Sequence, residues 1–311
     1  MAPPQTRVPG LTPPSVARFP AIRACIFDLD GLLINTEDII TTAINQLLAK
    51  YERPPMTRAV RAQLMGIANS SNGDVFHSWA QLPITREQWA RESKEEFRRQ
   101  FPQCAPLPGS EALLSNLSRA SSCFSSSSSI ATSSTGGEED KKKIKLALAS
   151  GTTAHNYALK TSTSVETQKL LNFFPPDNRV LGDDPRLPGG GRGKPAPDIY
   201  QVALQSLNAT LEAATGEEKE SPILPSECLV FEDSVVGVEA GRRAGMRVIW
   251  VPHPDMAIEY RGKETGVLAG RTGMVEIGDG EQLGAVDDGW AEMIRSLEHF
   301  DYARYGIHVA S

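Results

Sequence analysis

No stretch of this 311-residue chain approaches the length of an apolar membrane span, and no basic stripe runs through it. A helical bilayer crossing needs about 20 consecutive apolar residues, so a membrane partner is not expected. The formal net charge is -6, and phosphate-backbone binding needs clustered Lys and Arg, so nucleic acid is not expected either. The run Lys141-Lys142-Lys143 is an exception, but it follows Glu138-Glu139-Asp140 and so predicts a mixed-charge, solvated loop. Cysteine is scarce: Cys25, Cys104, Cys123 and Cys228 form no C-x-x-C pair and have no His at metal-ligand spacing. Cys25 and Cys228 sit inside apolar runs as small core hydrophobes, which fits a reducing, cytoplasmic setting. Met1 to Pro20 lacks the compact apolar block of a signal peptide. It also lacks acidic residues and carries Arg7 and Arg18, as organelle transit peptides do, but its prolines oppose the amphipathic helix such a peptide forms. Residues 1–20 are expected to be a disordered tail. Internal repeats are absent too.

What is present is a chain with 40% apolar residues, long enough for one α/β domain and a smaller insert. Five short apolar runs read as buried strands: 22–27, 144–149, 179–181, 228–231 and 247–251. Most are continuous rather than alternating, as in parallel strands covered on both faces. After Lys194, the spacing of Ile199, Val202, Ala203 and Leu207 predicts a helix, with Pro197 and Asp198 in its first turn. Val235 to Ala244 predicts another, closed near Gly245 by a left-handed cap. Strands alternating with helices predict a doubly wound parallel sheet.

Between Glu37 and Cys104 only helical patterning is found. Ile40, Ile44, Leu47, Leu48 and Tyr51 share one face, and Trp89, Phe97 and Phe101 mark a second amphipathic stretch. Residues 37–104 are therefore expected to be a small helical domain inserted after the first strand, with Pro106-Leu107-Pro108-Gly109 as its return hinge. The main domain would comprise 21–36 and 105–311, interrupted by a low-complexity loop over 118–143 that contains the tract Ser125 to Ser129. Two smaller loops are expected at 188–193 and 213–220, and a final helix around Gly289 to Leu297.

Chemistry gathers at the strand ends. The first run ends in Asp28-Leu29-Asp30-Gly31, and two carboxylates there are costly unless something offsets them. A divalent cation does so, leaving one carboxylate to attack and its neighbour to handle protons. An isolated D-x-D is more often a helix cap or surface turn. Glu232-Asp233-Ser234 ends the fourth run, where Asp233 or Ser234 also suits a helix cap. Two acidic clusters on separate strand ends suit one hard cation with oxygen ligands, Mg2+ being the natural choice. Ser150-Gly151 ends the second run, where a hydroxyl and backbone N–H groups can hold a phosphate oxygen, although a plain helix start looks the same. Lys194 follows Gly189-Gly190-Gly191-Arg192-Gly193 and would neutralise a phosphoryl group, or else sit in solvent. A P-loop is excluded, since the motif needs Gly at 188 and Ser or Thr at 195, and both are Pro. Each element alone is ambiguous. Ligand sites in open parallel sheets lie at the carboxyl ends of strands, and together these residues occupy such ends.

The sequence resembles the haloacid dehalogenase (HAD) superfamily of aspartyl phosphotransferases, with four motifs in order. Phe27-Asp28-Leu29-Asp30-Gly31-Leu32-Leu33-Ile34-Asn35-Thr36-Glu37 is similar to the first, Ser150 to the second, and Lys194-Pro195-Ala196-Pro197-Asp198 to the third. Phe231-Glu232-Asp233-Ser234, with Gly237 and Ala240, is similar to the fourth. The insert is similar to the cap of the beta-phosphoglucomutase-like subfamily, and the stretches 181–185 and 228–233 resemble its eukaryotic pseudouridine 5'-phosphatase group. That group usually carries Asp where this chain has Asn35, in the hinge to the cap.

The resemblance implies a Rossmannoid core with a helical cap and a Mg2+-dependent phosphomonoesterase. It implies Asp28 as nucleophile and Asp30 as acid and base, with the cation on the Asp28 carboxylate, the Asp30 carbonyl, Asp233 and Glu232. Ser150, Gly151 and Lys194 would hold the phosphoryl group. The expected partner is a small phosphorylated metabolite, either a nucleotide or pseudouridine 5'-phosphate or a sugar or polyol phosphate, acted on by a monomer. A sugar-phosphate mutase is the alternative, disfavoured because Ile40 and Asn69 stand where beta-phosphoglucomutase uses His and Arg. A catalytically silent regulator on the same fold is the remaining reading.

Overall fold

The computed structural model describes residues 19–66, 69–123, 141–214, 220–273 and 284–310. The expected tail up to residue 18, the serine tract with the acidic run after it, and 215–219 of the last small loop lie outside the described residues. In chain order, β1 (Ala24–Phe27) leads into α1 (Thr36–Lys50), α2 (Arg58–Leu64), α3 (Asn69–Ala80) and α4 (Arg86–Gln100). Next come α5 (Ser110–Arg119), β2 (Ala120–Cys123), β3 (Lys141–Lys143) and β4 (Lys145–Ser150). The chain continues with α6 (Ala154–Thr161), α7 (Val165–Leu171), β5 (Arg179–Leu181) and α8 (Asp198–Glu212). It closes with β6 (Cys228–Glu232), α9 (Val235–Arg243), β7 (Arg247–Trp250), α10 (Pro254–Glu259), α11 (Glu264–Leu268), β8 (Ala291–Met293) and β9 (Ile307–Val309).

All five apolar runs become strands of one six-stranded sheet in the order β5-β4-β1-β6-β7-β8, with every pair parallel. Their continuous apolar character follows from burial on both faces. Ala24 and Ile26 point into a core shared with Tyr200 and Ala203 of α8 and Val238 of α9. Cys25 and Phe27 point into the opposite core with Leu113 and Leu117 of α5 and Leu170 of α7. Phe27 stacks on its register partner Phe231 with ring centroids 4.5 Å apart. The chain runs outward from β1 through β4 to β5, then returns to β6 on the other side of β1. The crevice at the carboxyl ends of β4, β1 and β6 is therefore the topological switch point, where open sheets bind ligands. Ser234 caps α9, its hydroxyl accepting from Gly237 N at 3.1 Å, and Gly245 (φ +73°) ends that helix in the left-handed region.

No strand interrupts 37–104 among the described residues. Leu47, Leu48, Phe76, Ala80 and Trp89 form a separate apolar cluster with Ile44 and Tyr51. Ile40, Phe97 and Phe101 do not join it; they pack into the sheet core beside α5 and α7, because α1 and α4 rise from the sheet and their near ends belong to it. The two chain crossings into this insert run side by side: Ile34 bridges Pro106, Asn35 N donates to Ala105 O (3.1 Å), and Leu107 N donates to Leu33 O (2.8 Å). Asn35 Oδ1 also accepts from Ala105 N at 2.8 Å, so the residue that departs from the family pattern ties the two crossings together.

Two expectations fail. Residues 289–297 form no helix: Ala291–Met293 is the sixth strand, and a 3₁₀ turn follows at Leu297–His299. The open edge of β7 captures this segment, with Val248 N donating to Trp290 O (2.9 Å) and Ile294 N to Trp250 O (2.9 Å), which overrides local propensity. The loop expected over 118–143 opens with the end of α5 and then β2, and closes in β3: β2 pairs antiparallel with β3 and with β9, so Lys141 to Lys143 is a sheet edge rather than a solvated loop. Serine and lysine runs carry no apolar alternation to announce such strands.

Candidate active site

Asp28 leaves the end of β1, its N–H bound to Phe231 O (3.0 Å) and its side chain buried. The chain then turns sharply at Gly31 (φ +83°), where a Cβ would lie 2.3 Å from Asp233 Oδ2. Only glycine lets this turn close against Asp233, just past the end of β6. From the other side come Glu232, fully buried, and Asp233, 2% exposed. Glu232 Oε2 accepts from Ser234 N (3.1 Å) and Ser234 Oγ (3.0 Å), and Oε1 accepts from Tyr200 OH (2.6 Å). Lys194 Nζ lies 2.5 Å from Asp28 Oδ1 and also binds Glu232 Oε1.

Asp28, Glu232 and Asp233 each offer an oxygen, all within 4.8 Å of one another. Burial pushes the Asp28 carboxyl up to about 7; Lys194 pulls it back, and the charges of Glu232 and Asp30 add to the rise. Burial and then the neighbouring carboxylates Glu232, Asp28 and Glu37 hold Asp233 well above the carboxylate range. Burial alone would lower Lys194, yet Asp28 and Glu232 hold it well above its usual value. One ammonium thus faces three buried carboxylates. The donor set, all hard carboxylate oxygens at the carboxyl ends of adjacent strands, fits a Mg2+ ion, which needs few protein ligands.

Gly237 guards this arrangement, since a Cβ there would lie 2.0 Å from Glu232 Oε1. Gly237→Ala is expected to displace that carboxylate, weaken divalent-cation activation about tenfold, and cost about 1–3 kcal/mol of stability. A cation titration of activity and a thermal melt check both; unchanged cation activation would show that Glu232 does not matter to the ion.

The side chain of Asp30 lies outside the acidic trio. Its Oδ1 binds Lys160 Nζ (2.7 Å) and its Oδ2 accepts from Ser150 Oγ (3.2 Å). Burial alone would raise its pKa, but Lys160 and hydrogen bonds from Lys160, Thr36 and Ser150 hold it below the usual value. Ser150, fully buried at the end of β4, also accepts from Thr152 N (3.2 Å). Gly151 is exposed, and its carbonyl fixes the next strand end: a Cβ on Gly182 would lie 2.2 Å from Gly151 O. The glycine-rich stretch 188–193 does not cradle an anion with its lysine, which turns to the acidic residues, while Arg192 pairs with Asp198.

The residues singled out from sequence thus converge on one crevice, with Gly151 at its margin. Lys160, Tyr200 and the rim were missed. Arg61 of α2 binds Asp38 of α1 (2.7 Å) and Asp255 of α10 (2.8 Å), and His253 lies 3.1 Å from the same Asp38 oxygen. These pairs fasten the helical insert to the loop after β7, and the His253 hydrogen bond, then that of Arg61, holds the Asp38 carboxyl low against its partial burial. The insert also touches the site directly, since a Cβ on Gly66 (φ +74°) would lie 2.3 Å from Ser234 Cβ.

Residues 22–245 match the sequence profile of a hydrolase family described as haloacid dehalogenase-like hydrolase. A protein of Saccharomyces cerevisiae named "Probable pseudouridine-5'-phosphatase" is 33% identical over 92% of this chain and 98% of its own. The (DL)-glycerol-3-phosphatase 2 of Arabidopsis thaliana is 28% identical over 78% of this chain and 84% of its own. Among solved structures, a family IA, variant 3 HAD hydrolase from Entamoeba histolytica superposes with a TM-score of 0.58 at 17% identity, spanning 92% of this chain and 98% of that one.

Proposed function

The chain belongs to the haloacid dehalogenase-like hydrolases, and on that premise we propose that it is a Mg2+-dependent phosphomonoesterase working through a phospho-aspartate on Asp28. The observation that carries this reading is the buried trio Asp28, Glu232 and Asp233 set against Lys194, with the Ser150 hydroxyl on the adjoining strand end. Bound Mg2+ would offset the trio's charge and draw negative charge from the phosphoryl oxygens. It would be held by carboxylate oxygens of Asp28 and Asp233, the Asp30 carbonyl and Glu232.

Asp28 attacks phosphorus in line with the leaving alcohol, so an Oδ–P bond forms as the ester P–O bond breaks. Lys194 fixes the nucleophile and stabilises charge on the equatorial oxygens. Asp30 gives its proton to the departing alkoxide, then takes one from the water that cleaves the acyl phosphate. The resting Asp30 is ionised, and substrate changes that: a phosphate that takes the Ser150 hydroxyl removes a hydrogen bond from Asp30 and brings negative charge beside it. Both effects raise its proton affinity. The helical insert, seated against Ser234 and pinned through Arg61, serves as the cap that excludes bulk water and reads the leaving group.

A mutase needs a second acid–base group from the cap, and Ile40 packs into the sheet core instead of offering one. The side chain of Asn69 lies outside the described residues. The substrate is proposed to be a small phosphorylated metabolite of the kinds named by the relatives, pseudouridine 5'-phosphate or a glycerol phosphate. Every group invoked comes from one chain, so a monomer suffices, and no helix among the described residues is long and apolar enough to cross a membrane. Phosphate release is to be measured with and without Mg2+ on pseudouridine 5'-phosphate, other nucleotides, glycerol phosphates and hexose phosphates. Mg2+-dependent release from at least one is expected. Conversion of hexose 1-phosphate to 6-phosphate without release would install the mutase reading, and silence across the panel would install the regulator.

A further inference from the structure

Lys160 belongs to none of the motifs and to none of the steps above. It lies near the end of α6, yet it is only 4% exposed. Its ammonium is 2.7 Å from Asp30 Oδ1, 3.0 Å from Thr152 Oγ1 and 4.9 Å from the ring centroid of Phe101. Phe101 lies at the foot of the helical insert, in the turn after α4. Burying a lysine strips its ammonium of water, and here the offset comes from one carboxylate, one hydroxyl and one aromatic face. That carboxylate is the proposed proton donor.

We propose that Lys160 is the positioning residue for Asp30: it fixes the orientation of the acid's carboxyl group and ties it to the foot of the insert. The inference rests on the reading of Asp30 as the proton donor. Ser150 and Thr36 also touch Asp30, but Ser150 is claimed by the substrate phosphate in the working complex. Lys160 then remains the charged partner that keeps the Asp30 carboxyl directed at the leaving oxygen. During phosphoryl transfer the ester P–O electron pair goes to the leaving oxygen, which takes the Asp30 proton. If the carboxyl is misdirected, a poor leaving group is stranded as an alkoxide, whereas a phenolate with a nitro group leaves unaided.

The test compares kcat/KM on glycerol phosphate, whose alkoxide needs the proton, with kcat/KM on p-nitrophenyl phosphate, whose phenolate does not. This quantity reports steps up to phosphorylation of Asp28, so the later water step does not obscure it. Lys160→Met, which keeps the aliphatic stem beside Phe101, is expected to lower the glycerol phosphate value about tenfold or more relative to p-nitrophenyl phosphate. Lys160→Gln is measured in parallel as a polar replacement should the Met variant fail to fold. A purely structural lysine would lower both substrates alike, and that result overturns the proposal. Asp30→Asn separates the two levels of the argument. If Asp30→Asn discriminates between the substrates and the Lys160 variants do not, the lysine has no such role. If Asp30→Asn does not discriminate either, the proton-donor reading of Asp30 falls, and the role of Lys160 with it.

Discussion

Asp28→Asn is expected to remove turnover by about 10⁴-fold or more on every substrate the protein accepts, without loss of the folded state. The amide is isosteric but has no anionic oxygen to form the acyl phosphate. The stability side of this prediction comes from the burial of Asp28. Its carboxyl is pushed up to about 7 by burial, and Glu232 and Asp30 reinforce the shift against the pull of Lys194. A carboxyl whose folded pKa lies above its unfolded one weakens the fold at any pH where it must ionise inside. That penalty is complete above the folded value and fades as pH falls through it. The neutral amide removes the penalty, so the metal-free variant should melt at or above the wild-type temperature at pH 8. Lys194 keeps Glu232 as its partner in the variant. Phosphate release beside a melt at pH 8 decides the matter: turnover within tenfold of wild type would end the phospho-aspartate mechanism, whatever the melt shows.

The pattern of what sequence disclosed follows from how local each feature is. Asp28, Ser150, Glu232 and Asp233 were visible because each interrupts an apolar run, and a carboxylate or hydroxyl at the end of a buried strand demands an explanation. The parallel sheet was visible for the same reason, since Ala24 to Phe27 alternate between two cores and leave no polar face. Lys160 was not visible: it meets Asp30 across 130 residues of chain, and nothing in Ala154–Thr161 distinguishes it from a solvated helix lysine. Tyr200 adjoins the apolar positions of α8 with nothing local to mark it, and only the fold brings its hydroxyl to Glu232. Arg61 and His253 belong to different parts of the chain and become partners only through the seat of the insert. Strands β2, β3 and β8 were hidden because they form from serine, lysine and helix-favouring residues, β3 and β8 at sheet edges and β2 between two partners, so hydrogen bonds offered by neighbouring strands decide the outcome. Local chemistry was legible, and pairings made by tertiary approach were not.

Lys194→Met should produce the largest combined loss of stability and activity. The Lys194 side chain is 7% exposed, and its ammonium pairs with both Asp28 and Glu232 and lies 5.2 Å over the Tyr200 ring. Taking it away leaves three carboxylates within 4.8 Å of one another with no cation among them. Breaking a buried pair from one side costs about 3–5 kcal/mol, because the stranded charge keeps its desolvation penalty. The cluster can relieve itself only by taking up protons, and this fixes the sign of the pH dependence. Asp28 and Asp233 already have folded pKa values raised above their unfolded ones, and loss of Lys194 raises both further. The melting deficit against wild type is therefore expected to be greatest at pH 8 and to shrink at pH 6 and below, as the cluster protonates. Added Mg2+ offsets the same charge, so it should raise the melting temperature of Lys194→Met by more than that of wild type. Activity should still fall about 10³-fold with Mg2+ present, since the cation restores charge balance but not the group that fixes Asp28. Melts at the two pH values with and without Mg2+ separate the outcomes. A deficit that is the same at both, with no larger Mg2+ response, would mean that Lys194 stabilises by packing, and that the acidic residues around Asp28 carry no unbalanced charge for a metal to meet.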